Sequence, residues 1–338
     1  MREYQVLASE LAPVLRQAPP FIAQVHRLLG IVEVYSRDDL KAGALEFIPM
    51  ERILKNALEL EKASTASLGH QDYVVKALLA WFKNDFFQWV NKPECLSCHN
   101  TDQAKITSLG ATKSSEEEHR RAQATTTEIY KCQQCHSTYR YPRNNDPLVV
   151  LEQHNGRCGE WCNGFMALLH AMEIPARYIW NAEDHVWCEY YSASQKRWIH
   201  LDSCENAFDE PLLYARGWGK KMSFVFAVSE TSIVDVSAKY IDPEHQIPKQ
   251  SKCDVRLLGK CVRMFNAGKW LAYNAKLTDL FLDYEEARLD EFYTKVLRPH
   301  YEEVAQLKGP SVATKTEELK PRETGAGEWT ESRGESGK

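Results

Sequence analysis

Ten cysteines in 338 residues fall by spacing into groups with different chemistry. Cys95-Leu96-Ser97-Cys98 and Cys132-Gln133-Gln134-Cys135 are two pairs, each with two residues between its thiols, and 33 residues separate the pairs. Two intervening residues let both thiolates of one turn point at a single cation, and two such turns complete a tetrahedral four-thiolate zinc site. A site of this kind is closed: it staples the fold and leaves no open position for water. Each pair is also followed by a histidine, His99 and His136, which gives the C-x-x-C-H pattern of c-type haem attachment. Haem attachment would require export, and the start of the chain carries no signal-peptide pattern. With four sulfurs filling the shell, His99 and His136 are expected to face solvent.

A different use of sulfur is written at Gly156-Arg157-Cys158-Gly159-Glu160-Trp161-Cys162-Asn163, which opens a helical pattern. A thiol at a helix N-terminus feels the positive end of the macrodipole, which favours the thiolate. His185 follows 27 residues later at the entry of a strand pattern, and Asp202 another 17 residues on, in the next one. If those strands are neighbours, histidine can activate the thiol while the carboxylate fixes the imidazole tautomer, which is a Cys-His-Asp triad. Spacing alone leaves other readings open. Cys158 can be a small core residue, His185 and Asp202 turn residues, and His200 a rival to His185.

The elements that must position these groups follow from periodicity. Up to about Lys92 apolar residues recur at helical spacing, as in Val6, Leu7, Leu11, Val14 and Leu15, and again in Ile53, Leu54, Leu58 and Leu60. Asp72 to Phe82 is the densest such segment, with Phe86, Phe87 and Trp89 continuing its apolar side into a core. Between the cysteine pairs, Thr112 to Arg121 is polar and reads as a solvated loop. A helix is expected from about Gly159 to Met172, then strands at Arg177–Trp180, Val186–Tyr191, Arg197–Leu201, Phe224–Val228 and Ile233–Val236, and helices again after Cys253. Residues 309–338 are poor in large apolar side chains and read as a disordered tail.

Composition bounds the setting. With 42 basic against 47 acidic residues the net charge is −5, which argues against a nucleic-acid binder held by charge. No run approaches the roughly 18 to 20 apolar residues of a membrane span, so no membrane insertion is expected. A reduced, cytoplasmic setting follows, where grouped cysteines are metal ligands or catalytic thiols more often than disulfides.

Four runs then carry a resemblance: 156–163, Trp180-Asn181-x-Glu183-Asp184-His185-Val186-Trp187-Cys188-Glu189, Trp198-x-His200-x-Asp202-Ser203-Cys204-Glu205, and Gly217-Trp218-Gly219-Lys220-Lys221-Met222-Ser223. Over residues 70 to 245, which include the two cysteine pairs, the chain resembles cytoplasmic peptide:N-glycanase in its short fungal form, within the transglutaminase-like superfamily. The resemblance implies an α+β fold with a transglutaminase-like, papain-like core. It divides the chain into a helical region 1–92, a four-cysteine zinc-binding subdomain 93–142, the catalytic core 143–250, a C-terminal helical region 251–308 and the tail.

The resemblance also implies an amidase that removes N-linked glycans from misfolded glycoproteins in ER-associated degradation, converting Asn to Asp. Cys158, His185 and Asp202 would be catalytic. One structural zinc would sit on Cys95, Cys98, Cys132 and Cys135. Glu205, Trp187, Glu189, Arg177, Trp218 and Lys220 would contact substrate, while Cys162, Cys188, Cys204, Cys253 and Cys261 would pack in the core. A ubiquitin-receptor excision-repair shuttle protein that leads to the proteasome would bind a terminal helical surface, in the cytoplasm and nucleus. Two other classes remain: a transglutaminase or thiol protease using the same triad, and a non-catalytic zinc-bearing adaptor.

Overall fold

The computed structural model describes residues 13, 18–281, 284–308, 319–325, 327–332 and 335. The helical repeat at Val6, Leu7, Leu11, Val14 and Leu15 lies outside them. The first elements are helices α1 (Pro20–Arg27), α2 (Asp38–Leu45), α3 (Met50–Ala63) and α4 (His70–Trp81). α4 matches its expected span because Val75, Leu78 and Leu79 are buried along it, each worth about 1.5–3 kcal/mol of apolar burial. Asp72 in its first turn accepts the Tyr190 hydroxyl at 2.7 Å and the Ser194 hydroxyl at 2.6 Å, fastening the helix to a distant hairpin.

A short strand β1 (Gln88–Trp89) leads into the first cysteine pair, followed by β2 (Ile106–Lys113), α5 (Glu116–Ala122), β3 (Thr126–Cys132) and β4 (Thr138–Pro142). β2, β3 and β4 form an antiparallel sheet of their own. The polar stretch 112–121 is therefore not a loop: it ends a strand and begins a helix. The Ser115 hydroxyl accepts the Glu118 N–H while the Glu118 carboxylate accepts the Ser115 N–H, a reciprocal cap.

After α6 (Pro147–Gln153) and β5 (Asn155–Gly156), α7 (Cys158–Ala171) is mostly buried, and it packs on a six-stranded sheet. That sheet is built from β6 (Ala176–Asn181), β7 (His185–Ser192), β8 (Arg197–Asp202), β9 (Ala207–Phe208), β10 (Val225–Val228) and β11 (Ile233–Asp235), in the order β11-β10-β6-β7-β8-β9. α8 (Val255–Leu280), α9 (Glu285–Phe292), α10 (Arg298–Leu307) and the short α11 (Gly327–Ser332) complete the chain. One continuous core runs from Ile22 and Val25 of α1 through α4 and α7 to Leu258 and Phe265 of α8. The terminal helices thus share the core of the sheet. Among the described residues no helix is long and apolar enough to cross a membrane.

The described residues 319–325, 327–332 and 335 depart from the expected disorder. Arg322, Thr324 and Glu335 are buried. The composition argument counts apolar residues, and these side chains are held by charge and by aromatic faces instead.

Candidate active site and four-cysteine centre

The two C-x-x-C turns bring four Sγ atoms within 4.8 Å of one another. Cys95 and Cys135 are 3.5 Å apart and Cys98 and Cys132 are 3.7 Å apart, close to the roughly 3.8 Å edge of a tetrahedron with zinc–sulfur bonds of about 2.3 Å. The donor set therefore fits a zinc-sized cation. Cys95 and Cys132 are buried with Ile106, Tyr130 and Tyr139 in a small core of this sheet. His99 and His136 are both left-handed, with φ of 54° and 60°. They turn the chain just after each knuckle, which explains the C-x-x-C-H pattern without a haem.

This sheet is fastened to α7. The Glu128 carboxylate on β3 accepts two bonds from the Arg157 guanidinium, at 2.6 and 2.7 Å, and a third from Arg143 at 3.1 Å. Arg143 also holds Glu160 through two bonds of 2.6 and 2.7 Å, and Glu160 accepts the Arg157 N–H at 3.0 Å. Arg157 further donates to the Val90 carbonyl at 3.1 Å. The two flanking cations hold the Glu128 carboxyl at about 2, well below its ordinary range, against the opposing effect of burial. The residue before Cys158 is thus clamped between β3 and the chain entering the first cysteine pair.

β6 and β7 form a hairpin closed by the pair Asn181 and His185, with Asp184 left-handed at φ 61°. Asp tolerates that conformation, which lets His185 begin β7 at once. In the register of β7 on β8, Glu189 faces His200. With a period of two, His185, Trp187 and Glu189 share a sheet face with His200 and Asp202. His185 Nε2 meets Asp202 Oδ2 at 2.9 Å. Asp202 Oδ2 also accepts the Tyr214 hydroxyl at 2.9 Å, and Oδ1 accepts the Cys204 N–H at 2.9 Å. Burial works against the charge, but these donors and the nearby imidazoles hold the Asp202 carboxyl far below its usual range, so it is ionised. Nε2 then carries the imidazole proton, and Nδ1 is a buried lone pair without a hydrogen-bond partner among the described residues.

His200 resolves as a support. Its Nδ1 accepts the Glu210 N–H at 3.2 Å, so its Nε2 donates to Tyr214 at 2.7 Å, and Tyr214 passes the chain to Asp202. Burial lowers His200 to about 4 and keeps it neutral. Burial also lowers His185, against the pull of Asp202.

Cys158 opens α7 as expected and is half-buried. The expected depression of its pKa does not follow. Burial pushes the thiol up to about 11, with Asp184 adding to the rise and the Arg322 guanidinium opposing it. Desolvation of a thiolate outweighs the field of a helix end here. At neutral pH the thiol keeps its proton.

The residues expected to meet substrate divide in two. Arg177, Trp187 and Glu189 lie inside the protein, so they are corrected from cleft to core. Arg177 donates to Glu189 at 2.5 Å, forms two bonds to Glu303 of α10 and stacks on Trp198 at 4.2 Å. Glu189 also holds Lys239 and Tyr240, and Trp187 is packed against Tyr214 and Tyr240. Their polar groups are spent on one another, and together they back the His185 face of the sheet. Trp218, its ring 5.0 Å from the His185 imidazole, and Lys220 are buried as well and Glu205 is half-buried, but these three are covered in part by the C-terminal segment. Arg322 lies over the Trp218 ring, Glu335 pairs with Lys220, and the Glu323 and Thr324 N–H groups bond to Glu205. Trp89 packs half-buried against the main core as expected, and its ring is also 5.4 Å from the Arg322 guanidinium. Cys162 packs 3.1 Å from the Trp187 carbonyl and 3.5 Å from Cys188, as expected of a core thiol. Cys204, Cys253 and Cys261 are buried too.

Comparison with known proteins starts from the peptide-N(4)-(N-acetyl-beta-glucosaminyl)asparagine amidase of Candida albicans, 38% identical over 94% of this chain and 86% of its own length. The chain belongs to this amidase family. The Debaryomyces hansenii amidase is 40% identical over 87% of this chain and 80% of its own, and that of Saccharomyces cerevisiae is 37% identical over 90% and 82%. Within the chain of this amidase-family member, the Transglutaminase-like superfamily profile matches residues 105–203 and the Rad4 transglutaminase-like domain profile residues 181–302. Among solved structures, Rad4-Rad23 crosslinked to an undamaged DNA superposes with a TM-score of 0.46 at 12% identity, over 86% of this chain and 57% of that one.

Proposed function

We propose that this chain hydrolyses the side-chain amide that joins an N-linked glycan to Asn, with Cys158 as nucleophile, His185 as base and acid, and Asp202 as the group that orients His185. The observation that carries this reading is the His185 Nε2 to Asp202 Oδ2 bond of 2.9 Å, which leaves Nδ1 as a buried lone pair free to take a proton. Cys162, one turn beyond Cys158, touches the backbone and side chains two to three residues beyond His185. Asp184 and Arg322 act electrostatically on Cys158, and Arg322 on His185 as well, which supports a shared rim.

The chemistry follows from two neutral partners. As Cys158 Sγ bonds to the amide carbon, its proton passes to His185 Nδ1. The resulting imidazolium is stabilised by Asp202, held in turn by Tyr214 and the Cys204 N–H. The oxyanion takes orphan N–H donors at the start of α7. The carbon–nitrogen bond then breaks, Nδ1 returns its proton to the leaving nitrogen, and the glycan departs as a glycosylamine. Water, deprotonated by Nδ1, attacks the thioester carbon. The thiol leaves and regains its proton, and Asp stands where Asn was. The glycosylamine loses ammonia in solution.

Cys95, Cys98, Cys132 and Cys135 would hold one zinc ion. When bound it supplies a fixed tetrahedral tie for the β2-β3-β4 sheet. The sheet's Glu128 then steadies Arg157 and the start of α7. We place the activity on misfolded glycoproteins in ER-associated degradation, in the cytoplasm and nucleus. The shuttle partner would dock on terminal helices that leave Leu54 and Leu58 of α3 and Tyr293 and Tyr301 near the C-terminus exposed.

The test is mass spectrometry of a denatured N-glycopeptide under reducing conditions. Release of the intact glycan with Asn converted to Asp, abolished in Cys158→Ala, supports the reading. No release by the unmodified chain contradicts it. Peptide cleavage or amine exchange instead would show that the triad serves another thiol chemistry.

A further inference from the structure

The cleft beside His185 already has an occupant. The Arg322 guanidinium lies over the Trp218 ring at 4.6 Å and over the Trp89 ring at 5.4 Å, so two indoles flank one cation. An arginine between aromatic faces with little water left is a favourable cation–π arrangement. Glu335 pairs with Arg322 and with Lys220, and the Arg322 and Glu335 side chains are fully buried. Glu205 is engaged from the same segment: it accepts the Glu323 N–H at 2.9 Å, the Thr324 N–H at 3.2 Å and the Thr324 hydroxyl. Gly217 makes room for the backbone, since a Cβ there would stand 2.5 Å from the Lys320 carbonyl oxygen.

These contacts use the hydrogen-bonding and stacking groups that a glycopeptide would need. A carboxylate that takes two consecutive backbone N–H groups is a peptide acceptor, and paired indoles suit either a cation or a sugar face. The position is deep, because the Trp218 ring on which Arg322 lies is itself in contact with His185.

We propose that the C-terminal segment, through residues 320–324 and Glu335, is an intrachain occupant of the substrate cleft and competes with glycopeptide for Glu205, Trp218 and Lys220. This rests on the amidase reading for what is excluded, though not for the docking itself. Tethering makes weak docking effective: a joined segment acts at an effective concentration on the order of 1 mM, so even millimolar intrinsic affinity holds the cleft about half occupied. Substrate then binds only the open fraction, and the apparent affinity falls by that fraction. Arg322 anchors the segment.

The test compares the full chain with Arg322→Ala and Arg322→Lys in glycan release from a denatured N-glycopeptide. Arg322→Ala is expected to lower KM, by about tenfold if the segment is docked nine-tenths of the time. Arg322→Lys keeps the charge without the planar stack and should fall between. A synthetic peptide of residues 319–335, added to Arg322→Ala, should raise KM again. Equal KM in all three chains overturns the proposal, even if Arg322→Ala melts earlier, because a purely structural strap would do only that.

Calorimetry of the same peptide needs no activity. The peptide should bind Arg322→Ala and bind the full chain more weakly, since its own segment holds the cleft. Binding without glycan release from any chain would support the docking while removing the amidase reading. Failure of the peptide to bind Arg322→Ala would overturn the docking.

Discussion

The four-cysteine sheet and the Cys158 cleft use the same element in opposite ways. In the sheet, four sulfurs converge within 4.8 Å, and the left-handed His99 and His136 close the turns that aim them. In the cleft one sulfur stands at the head of a buried helix, while the sulfurs of Cys162, Cys188 and Cys204 are packed away in the core. Convergence makes a tie that only a cation completes. Isolation leaves a thiol whose proton must be moved by a neighbour. The difference teaches that position, more than residue type, decides whether sulfur holds a fold or breaks a bond, and the clamp from Glu128 to Arg157 joins the two uses.

Substitutions should split these roles. Cys158→Ala is expected to reduce glycan release by about 10³-fold or more while the urea midpoint stays unchanged, since a triad acts as a unit. Cys95→Ser should do the reverse in kind: zinc content, measured by mass spectrometry of the metal, should fall from about one per chain, and stability should drop by several kcal/mol. A Cys95→Ser chain that stays fully folded without metal would remove the tie from the account. Glu128→Gln probes the junction. It leaves Arg157 and Arg143 partly buried without their carboxylate, and is expected to cost about 3 kcal/mol of stability in denaturant titrations. Its glycan release should also fall while zinc content stays constant.

The pH dependence gives a smaller effect that again separates the regions. His200 is neutral in the fold, at about 4 against an ordinary 6.5. A lowered pKa contributes stability that is full above about 6.5 and lost as pH falls toward about 4, because the unfolded chain takes up the proton first. Glu128, held at about 2 against 4.5, adds a loss only below about 4.5. The urea midpoint should therefore decline in two stages on acidification, and because Glu118, Glu189 and Asp202 are lowered too, Glu128→Gln should remove only part of the second. His185 is also lowered below 6.5, so catalysis should be flat through neutrality and lose rate only on the acid side. The smallest effect is His99→Gly, which relieves a left-handed side chain and should stabilise the folded, metal-loaded chain by about 0.5 to 1 kcal/mol.

Much of this was legible in the chain. The cysteine spacing announces the four-thiolate centre, because a two-residue gap is itself the geometry of a knuckle. Cys158, His185 and Asp202 could be named because helix start and strand ends mark them. The capping pair Ser115 and Glu118 was also written in the sequence, as S-x-x-E, and would have replaced a loop with a helix. Other features depend on long-range pairing that no local pattern carries. Tyr214 reaches Asp202 from a turn beyond β9, Glu128 meets Arg157 across 29 positions, and Trp89 meets Arg322 across most of the chain. The expectation for Arg177, Trp187 and Glu189 failed for the same reason: whether a polar or aromatic strand residue faces a cleft depends on what covers it, and here α10 and the short helix Ser237–Tyr240 do.

The central claim is that Cys158 carries the substrate as a thioester. Acid quenching of the full chain during a single turnover of denatured glycopeptide, followed by peptide mapping, should find the deglycosylated peptide bound to Cys158 and no adduct in Cys158→Ala. An adduct on another cysteine, or undiminished glycan release by Cys158→Ala, would contradict it.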